Sequence, residues 1–333
     1  MKSNFFIGGE FAAQKFYRHN TILNKFKGGT WTLSGRYALE LILKELNRKG
    51  YKKIYIPIYN CPSTYRVVKK YFKTIIFYDL NKKLNPKLKN ISENSVFIIV
   101  NYFGLTNRIK NSKKIYIIED LTHSVLNKIE FRKNHTYFAS FRKIGVFNFG
   151  GWSSLSFNHN SKSNIPYMEE YRKKKFKYLR KKNISNIEEK NLLKLLKRED
   201  KKLISSKECI NKADIKSITN KSESEIRIIR NKNYNYLKRK LKNQYFSLPL
   251  KNSDTPLFFI LKFSNIKIRN NFRNVLKKNK IFCPIFWEIN NKKLRSFTHS
   301  KFLSQNTLAV PIDHRMKMSD TKYVVEIIKN YDF

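Results

Sequence analysis

The stretch "KIYIIEDLTHS", residues 114–124, decides how the chain is read. It opens on an apolar, β-prone run with none of the polar alternation of a half-solvated strand, the mark of a strand covered on both faces. It then stops on Glu119 and Asp120 and continues Leu-Thr-His-Ser. A carboxylate that ends such a run sits at the edge of a buried sheet, where it needs a cation or a hydrogen-bond donor. His123, three residues on, is near enough to face the same cavity. Taken alone, Asp120 reads as readily as the cap of a following helix.

Working outward, the same signature recurs on both sides. "KKIYIPIY" (52–59), "TIIFYDL" (74–80), "SVFIIVNYFG" (95–104) and "HTYFASF" (135–141) are further strands rich in Ile, Val, Tyr and Phe. Helical patterns lie between them. In 34–49, Leu39, Ile42, Leu43 and Leu46 recur at i, i+3, i+4 and i+7, with Ser34 as N-cap and Gly50 as stop. A second helix follows "CPSTYRVVKKYF" (61–72). Strand–helix alternation predicts an α/β fold with a mostly parallel central sheet covered by helices.

Residues 158–232 are more polar. "PYMEEYRKKKFKYLRKKN" (166–183) and "EEKNLLKLLKREDKKL" (188–203) read as exposed or bridging helices with one apolar face. From about 233 the pattern resets, with "TPLFFILKFSN" (255–265) as a strand and "IKIRNNFRNVLKKNKI" (266–281) as an amphipathic helix. "LAVPIDHRMKMSDTKYVVEIIKNY" (308–331) reads as a turn followed by a final helix. The expected division is a large α/β domain over 1–215, with a helical bridging segment at 158–215, and a smaller C-terminal α+β domain over 216–333.

Composition sets limits. With 41% hydrophobic and 14% aromatic residues, the 333-residue chain has ample material for a core. Its 70 Lys and Arg against 24 Asp and Glu give a formal charge of +46. That excess invites a polyanionic partner or a small anionic substrate. Lysine nevertheless crowds every segment rather than one stripe, and no zinc-knuckle, helix-turn-helix or RNP-type pattern supports specific nucleic-acid recognition. Cys61, Cys209 and Cys283 are widely separated and lack metal-ligand spacing, so no metal site is expected. The opening "MKSNFFIGGEFAAQ" has too short an apolar cluster for a signal peptide, and no window could span a membrane. The expected location is cytoplasmic.

Three places at strand ends could carry chemistry, the edge where open α/β sheets take ligands. In "TLSGRYAL", Ser34-Gly35 entering a helix leaves backbone N–H groups for an anion, and Arg36 adds a charge that could fork onto a phosphate. An ordinary N-cap fits the same residues. Asp120 and His123 make the second place. The third is "YFASFRKIGVFNFGG" (137–151), where Ser140 and Lys143 stand at the mouth of a strand. A lysine held there against apolar walls near other cations would be an amine nucleophile for aldehydes, although a surface lysine is the default at any single position. Together, an anion cradle, a buried carboxylate and a strand-end lysine are the parts that hold pyridoxal 5'-phosphate (PLP).

With those residues quoted, the chain resembles the DegT/DnrJ/EryC1/StrS family of sugar aminotransferases, of the fold type I PLP-dependent transferases. "SGRYALELIL" is similar to the family's phosphate-binding helix start, "IPIYNCPST" to its loop after the next strand and "IIEDLTHS" to its Glu-Asp segment. "SFRKIGVFNFGG" is similar to its Schiff-base segment, and "IIRNKNYNYL" and "LAVPIDHR" resemble its later stretches. The resemblance implies that Lys143 forms the Schiff base and shuttles the proton, while Asp120 pairs with the pyridinium nitrogen. By the same resemblance His123 lies near the ring hydroxyl, and Ser34, Gly35, Arg36 and Ser140 hold the phosphate. Tyr59 or Tyr102 would stack on the ring, since Cys61 occupies the loop position where the family often has an aromatic. Phe149 stands where an acid commonly precedes the paired glycines. Dehydratases of the family carry histidine at the lysine position, so Lys143 points to transamination.

The implied function is transfer of an amino group from an amino-acid donor, glutamate by expectation, to a nucleotide-linked keto sugar for surface polysaccharide or glycan synthesis, in a homodimer. The alternatives are a dehydratase-like PLP reaction and a degenerate, non-enzymatic polyanion-binding protein.

Overall fold

The computed structural model describes residues 6–9, 17, 21–88, 90–107, 115–158, 205–241, 245–289 and 296–331, with 187, 188, 190, 191, 194, 195, 198 and 201. The expected helix at 166–183 lies outside these residues, as does most of that at 188–203.

The expected sheet is present. Strands β3 (Lys53–Pro57), β4 (Thr74–Leu80), β6 (Ser95–Val100), β7 (Ile115–Asp120) and β8 (His135–Ser140) pair in parallel in the order β8-β7-β6-β3-β4. Antiparallel strands extend both edges. β5 (Pro86–Lys87) joins β4, while β9 (Gly151–Ser153) joins β8 and carries β2 (Thr30–Thr32) outside it, for eight strands in all. The three-residue edge strands give no periodic signal to read in sequence. Their pairing, Trp31 opposite Trp152, is fixed by tertiary contact.

Both faces of the parallel strands are buried, and side chains alternate between two cores as a period-two pleat requires. Ile54, Ile56, Val96, Ile98 and Ile118 point to helices α1 (Gly35–Arg48) and α2 (Pro62–Tyr71). Tyr55, Phe97, Ile99 and Ile117 point the other way, into a core shared with the C-terminal elements. Asp120 follows Ile118 at i+2, and Ser140 follows Phe138, which also packs on the α1 side. This parity places both polar residues beside the start of α1. Glu119 takes the opposite face, where its carboxylate meets His135 Nδ1 at 2.5 Å.

The C-terminal part is built from α3 (Glu223–Lys240), β10 (Phe258–Lys262), α4 (Ile266–Lys278), α5 (Thr298–Asn306), β12 (Thr307–Pro311) and α6 (Met318–Lys329). The two-residue strands β1 (Ile7–Gly8) and β11 (Ile281–Phe282) pair in parallel. The stretch expected to open as a turn at 308 is instead strand β12, antiparallel to β10 with Phe258 opposite Pro311. Four apolar residues sufficed because the partner strand buries them completely. The proline sits at the strand's last position, where its missing N–H does least harm. Among the described residues no helix is long and apolar enough to cross a membrane.

Candidate active site

The starts of α1 and α2 and the ends of β7 and β8 border one cleft of about 860 Å³, part of it open to solvent. Its walls include Ser34, Gly35, Arg36, Asp120, His123, Ser140 and Lys143, seven of the residues singled out in the sequence. Thr122, Arg142, Phe149 and Trp287 complete much of the rest.

The α1 start presents a helix N-terminus to the cleft, where it could hold an anion. Ser34 adopts an extended N-cap conformation and its hydroxyl accepts the Tyr37 N–H at 3.3 Å. Fourteen helical residues follow, so the positive end of the helix dipole faces the cleft. Gly35 is required by closeness rather than by its torsions. A Cβ there would stand 2.6 Å from Ser140 Cβ and 2.9 Å from the Ala139 carbonyl oxygen. The missing side chain lets the helix start lie directly on the end of β8, bringing Ser140 to the cradle.

Asp120 is buried, and its Oδ1 accepts the Thr122 N–H at 2.8 Å. Burial pushes its carboxyl up to about 6, against the pull of that hydrogen bond. Ionised at neutral pH, it is a carboxylate poised for a cationic partner.

His123 is held neutral, its imidazole pushed down to about 3 by burial and by the Lys143 charge. Phe103 and Trp287 lie nearly parallel to it at 5.8 and 5.6 Å, and Phe286 meets it edge-on at 5.1 Å. Nδ1 accepts a long hydrogen bond from the Phe103 N–H at 3.5 Å, which leaves the proton on Nε2. Phe103 makes that contact from a left-handed backbone with φ 53°. For a bulky residue this conformation costs energy that the surrounding packing supplies.

Lys143 lies in the short 3-10 turn Phe141–Ile144 that follows β8, and it is exposed toward the cleft. Gly145, left-handed at φ 72°, closes the turn. Arg230, 1% exposed in α3, fixes this turn from below. Its Nη2 donates to the Ile144 carbonyl at 2.8 Å and its Nη1 to the Leu257 carbonyl at 2.9 Å. Burial lowers the guanidinium to about 10, so it stays charged at neutral pH. Replacing Arg230 with methionine strands two buried carbonyls, and is expected to lower unfolding free energy by about 3 kcal/mol. Urea denaturation of both proteins measures the difference, and an unchanged midpoint would refute the anchoring.

Tyr59 and Tyr102 are brought together elsewhere. Both are fully buried, with rings 5.6 Å apart, and neither borders the cleft. The Tyr59 hydroxyl donates to the Phe286 carbonyl, and the Tyr102 hydroxyl to the Tyr59 carbonyl at 2.5 Å. Trp287 was not anticipated, because it arrives from the segment after β11, far from the other site residues in the chain. Thr122 and Arg230 were also missed. A buried arginine is invisible in a chain with 70 basic residues.

No protein-family model and no curated protein sequence matches the chain. Solved structures do. The PLP form of Spr1654 from Streptococcus pneumoniae, described as a sugar aminotransferase, superposes with TM-score 0.58 at 14% identity, over 96% of this chain and 92% of that one. A DegT DnrJ EryC1 StrS aminotransferase from Brucella abortus gives 0.54 at 14% identity, over 92% and 87%. A variant of GDP-4-keto-6-deoxymannose-3-dehydratase (ColD) with bound GDP-perosamine gives 0.60 at 18% identity, over 95% and 94%. The chain therefore has the fold of these PLP-dependent sugar-modifying enzymes, over nearly its whole length.

Proposed function

We propose that the chain is a PLP-dependent aminotransferase acting on a keto sugar linked to a nucleotide, with an amino acid, glutamate first among them, as donor. The observation that supports this most is the convergence on one cleft of a helix-start anion cradle, a buried carboxylate and a strand-end lysine. The residues present fit the cofactor. Gly35, which has no room for a Cβ, and the adjoining Ser34, Arg36 and Ser140 suit a phosphate. Asp120, buried and raised to about 6, suits a protonated ring nitrogen.

PLP, when bound, supplies an electron-withdrawing ring that accepts the electron pair left when a proton leaves the carbon bearing the amino group. The protein's own part is positional. Asp120 keeps the ring nitrogen charged. His123, fixed neutral with its proton on Nε2, offers a hydrogen-bond donor that does not change charge across the working pH range. Lys143 carries the amine that attacks an aldehyde and can afterwards take and return a proton. Lysine here, rather than histidine, favours transamination over the dehydration named for ColD. We further infer a homodimer in the cytoplasm serving polysaccharide or glycan synthesis. The basic composition suits a diphosphate-bearing substrate.

The test is spectroscopic. The full-length chain mixed with PLP should gain a visible absorbance band that borohydride abolishes, leaving the label on Lys143 in a peptide map. L-glutamate should convert the band before reduction. A protein that gains no band, or one labelled at a different lysine, would overturn the reading.

A further inference from the structure

The cleft has a second helix start whose donors the proposed reading leaves unused. α1 and α2 pack side by side through the same core and begin at the same edge of the sheet. Two positive dipole ends thus face one cleft, which Cys61, Ser63 and Thr64 at the start of α2 line together with Ser34, Gly35 and Arg36 at the start of α1.

The donors at the start of α2 can be counted. The Cys61 N–H is taken by Asn60 Oδ1 at 2.6 Å, and Pro62 has none. The Thr64 N–H goes to the Cys61 carbonyl at 2.9 Å, and the Ser63 hydroxyl pairs with Cys61 Sγ at 2.9 Å. Among the described residues, the Ser63 N–H and the Thr64 hydroxyl have no partner. Thr64 is only 6% exposed, and its unpaired hydroxyl stands on the cleft wall. A hydroxyl without a protein partner at a cleft wall is open to a ligand or water.

Two adjacent donors at a helix start match the two oxygens of a carboxylate. A phosphate finds more at the α1 side, where Arg36, Ser140 and Arg142 also border the cleft. We propose that the start of α2, through the Ser63 N–H and the Thr64 hydroxyl, binds the α-carboxylate of the amino-acid donor. This rests on the aminotransferase reading above. The α2 start orients the donor while the α1 start holds the cofactor, so the two anions are separated by one helix diameter, on the order of 10 Å.

The experiment uses the full-length protein loaded with PLP. The L-amino acid that converts the wild-type band fastest is compared with the amine that lacks its α-carboxylate. Thr64→Val is expected to raise the apparent dissociation constant of the amino acid about ten-fold or more. The limiting rate, the PLP affinity and the constant for the amine should stay near wild type. Thr64→Ser, which keeps the hydroxyl, should restore the amino-acid affinity. Thr64→Ala removes the hydroxyl with less bulk and should show the same loss if valine disturbs the helix start. An unchanged amino-acid constant, an equal loss for amino acid and amine, or a loss of PLP affinity instead would overturn the subsite. A wild-type protein that takes up no PLP, or reacts with no amino acid, overturns the aminotransferase reading itself and is seen before any variant is made.

Discussion

Lys143→Ala is expected to lose amino transfer on the order of 10⁴-fold, since on the proposed function one change removes both the amine nucleophile and the group that moves the proton. The variant should still fold. Lys143 is exposed on a short turn that the bond to the Ile144 carbonyl and the left-handed Gly145 hold in place. It should also still bind PLP, because the α1 cradle and Asp120 remain. The borohydride-fixed label should disappear while PLP remains bound by equilibrium dialysis. Retained label would mean that another lysine does the chemistry, and near-wild-type turnover would remove Lys143 from the reaction. A secondary consequence concerns His123. Its imidazole is lowered partly by the Lys143 charge, so in the ligand-free variant its titration should move up toward the ordinary range, as read by NMR.

Asp120→Asn should separate stability from activity. In the ligand-free protein the carboxyl is raised by burial from 3.8 to about 6. A carboxyl raised on folding favours the native state fully below its unfolded value, and that contribution is lost as pH rises through the folded value. At pH 7 the buried charge therefore costs about 3 kcal/mol, taking about 1.4 kcal/mol for each tenfold change in proton affinity. Asparagine keeps an oxygen for the Thr122 N–H and carries no charge. The ligand-free variant is thus expected to be more stable than wild type by up to about 3 kcal/mol at pH 7, and equal to it at pH ~3, below the unfolded value. Chemical denaturation at the two pH values reads this directly. Activity should move the other way, falling roughly 100- to 1000-fold, as for loss of a preorganised charge beside the reacting group. Cofactor affinity carries the matching pH signature. A cationic ring nitrogen holds Asp120 ionised, so wild-type affinity should be full above pH 6 and weaken as pH falls through it. The asparagine variant should show no such inflection. A variant equally unstable at both pH values, or a wild-type affinity flat from pH 5 to 8, would contradict the assignment.

Legibility in the sequence divided along physical lines. The five parallel strands and the first helix were readable because each carries its own periodicity, and each is buried on faces that its own composition advertises; the second helix, expected after "CPSTYRVVKKYF", lies within it at Pro62–Tyr71. Asp120 stood out for the same reason, as an acid ending an apolar run. The parts that could not be read are those created by distance. β2 and β12 take their identity from partners about 120 and 50 residues away, and three residues of Thr-Trp-Thr hold no period. Trp287 reaches the cleft only through the packing of the C-terminal elements on Phe103 and His123. The family resemblance offered Tyr59 or Tyr102 as the residue stacking on the ring, yet both rings lie in the interior. At 0% exposure their hydroxyls satisfy backbone carbonyls instead of meeting the cleft.

The Arg230 anchor also bears on the order in which the molecule matures. The Lys143 turn and its guanidinium clamp are 86 residues apart in the chain, and the second carbonyl the clamp holds lies 27 residues further on. Contacts of such separation close late, because loop entropy must be overcome before they form. All eight strands of the sheet and the start of α1 lie within residues 30–153. A chain emerging from the ribosome would thus carry every strand of the sheet before the clamp on the Lys143 turn could be made. On the proposed function, the Lys143 amine would take its working place only once the segment through Leu257 had joined the fold.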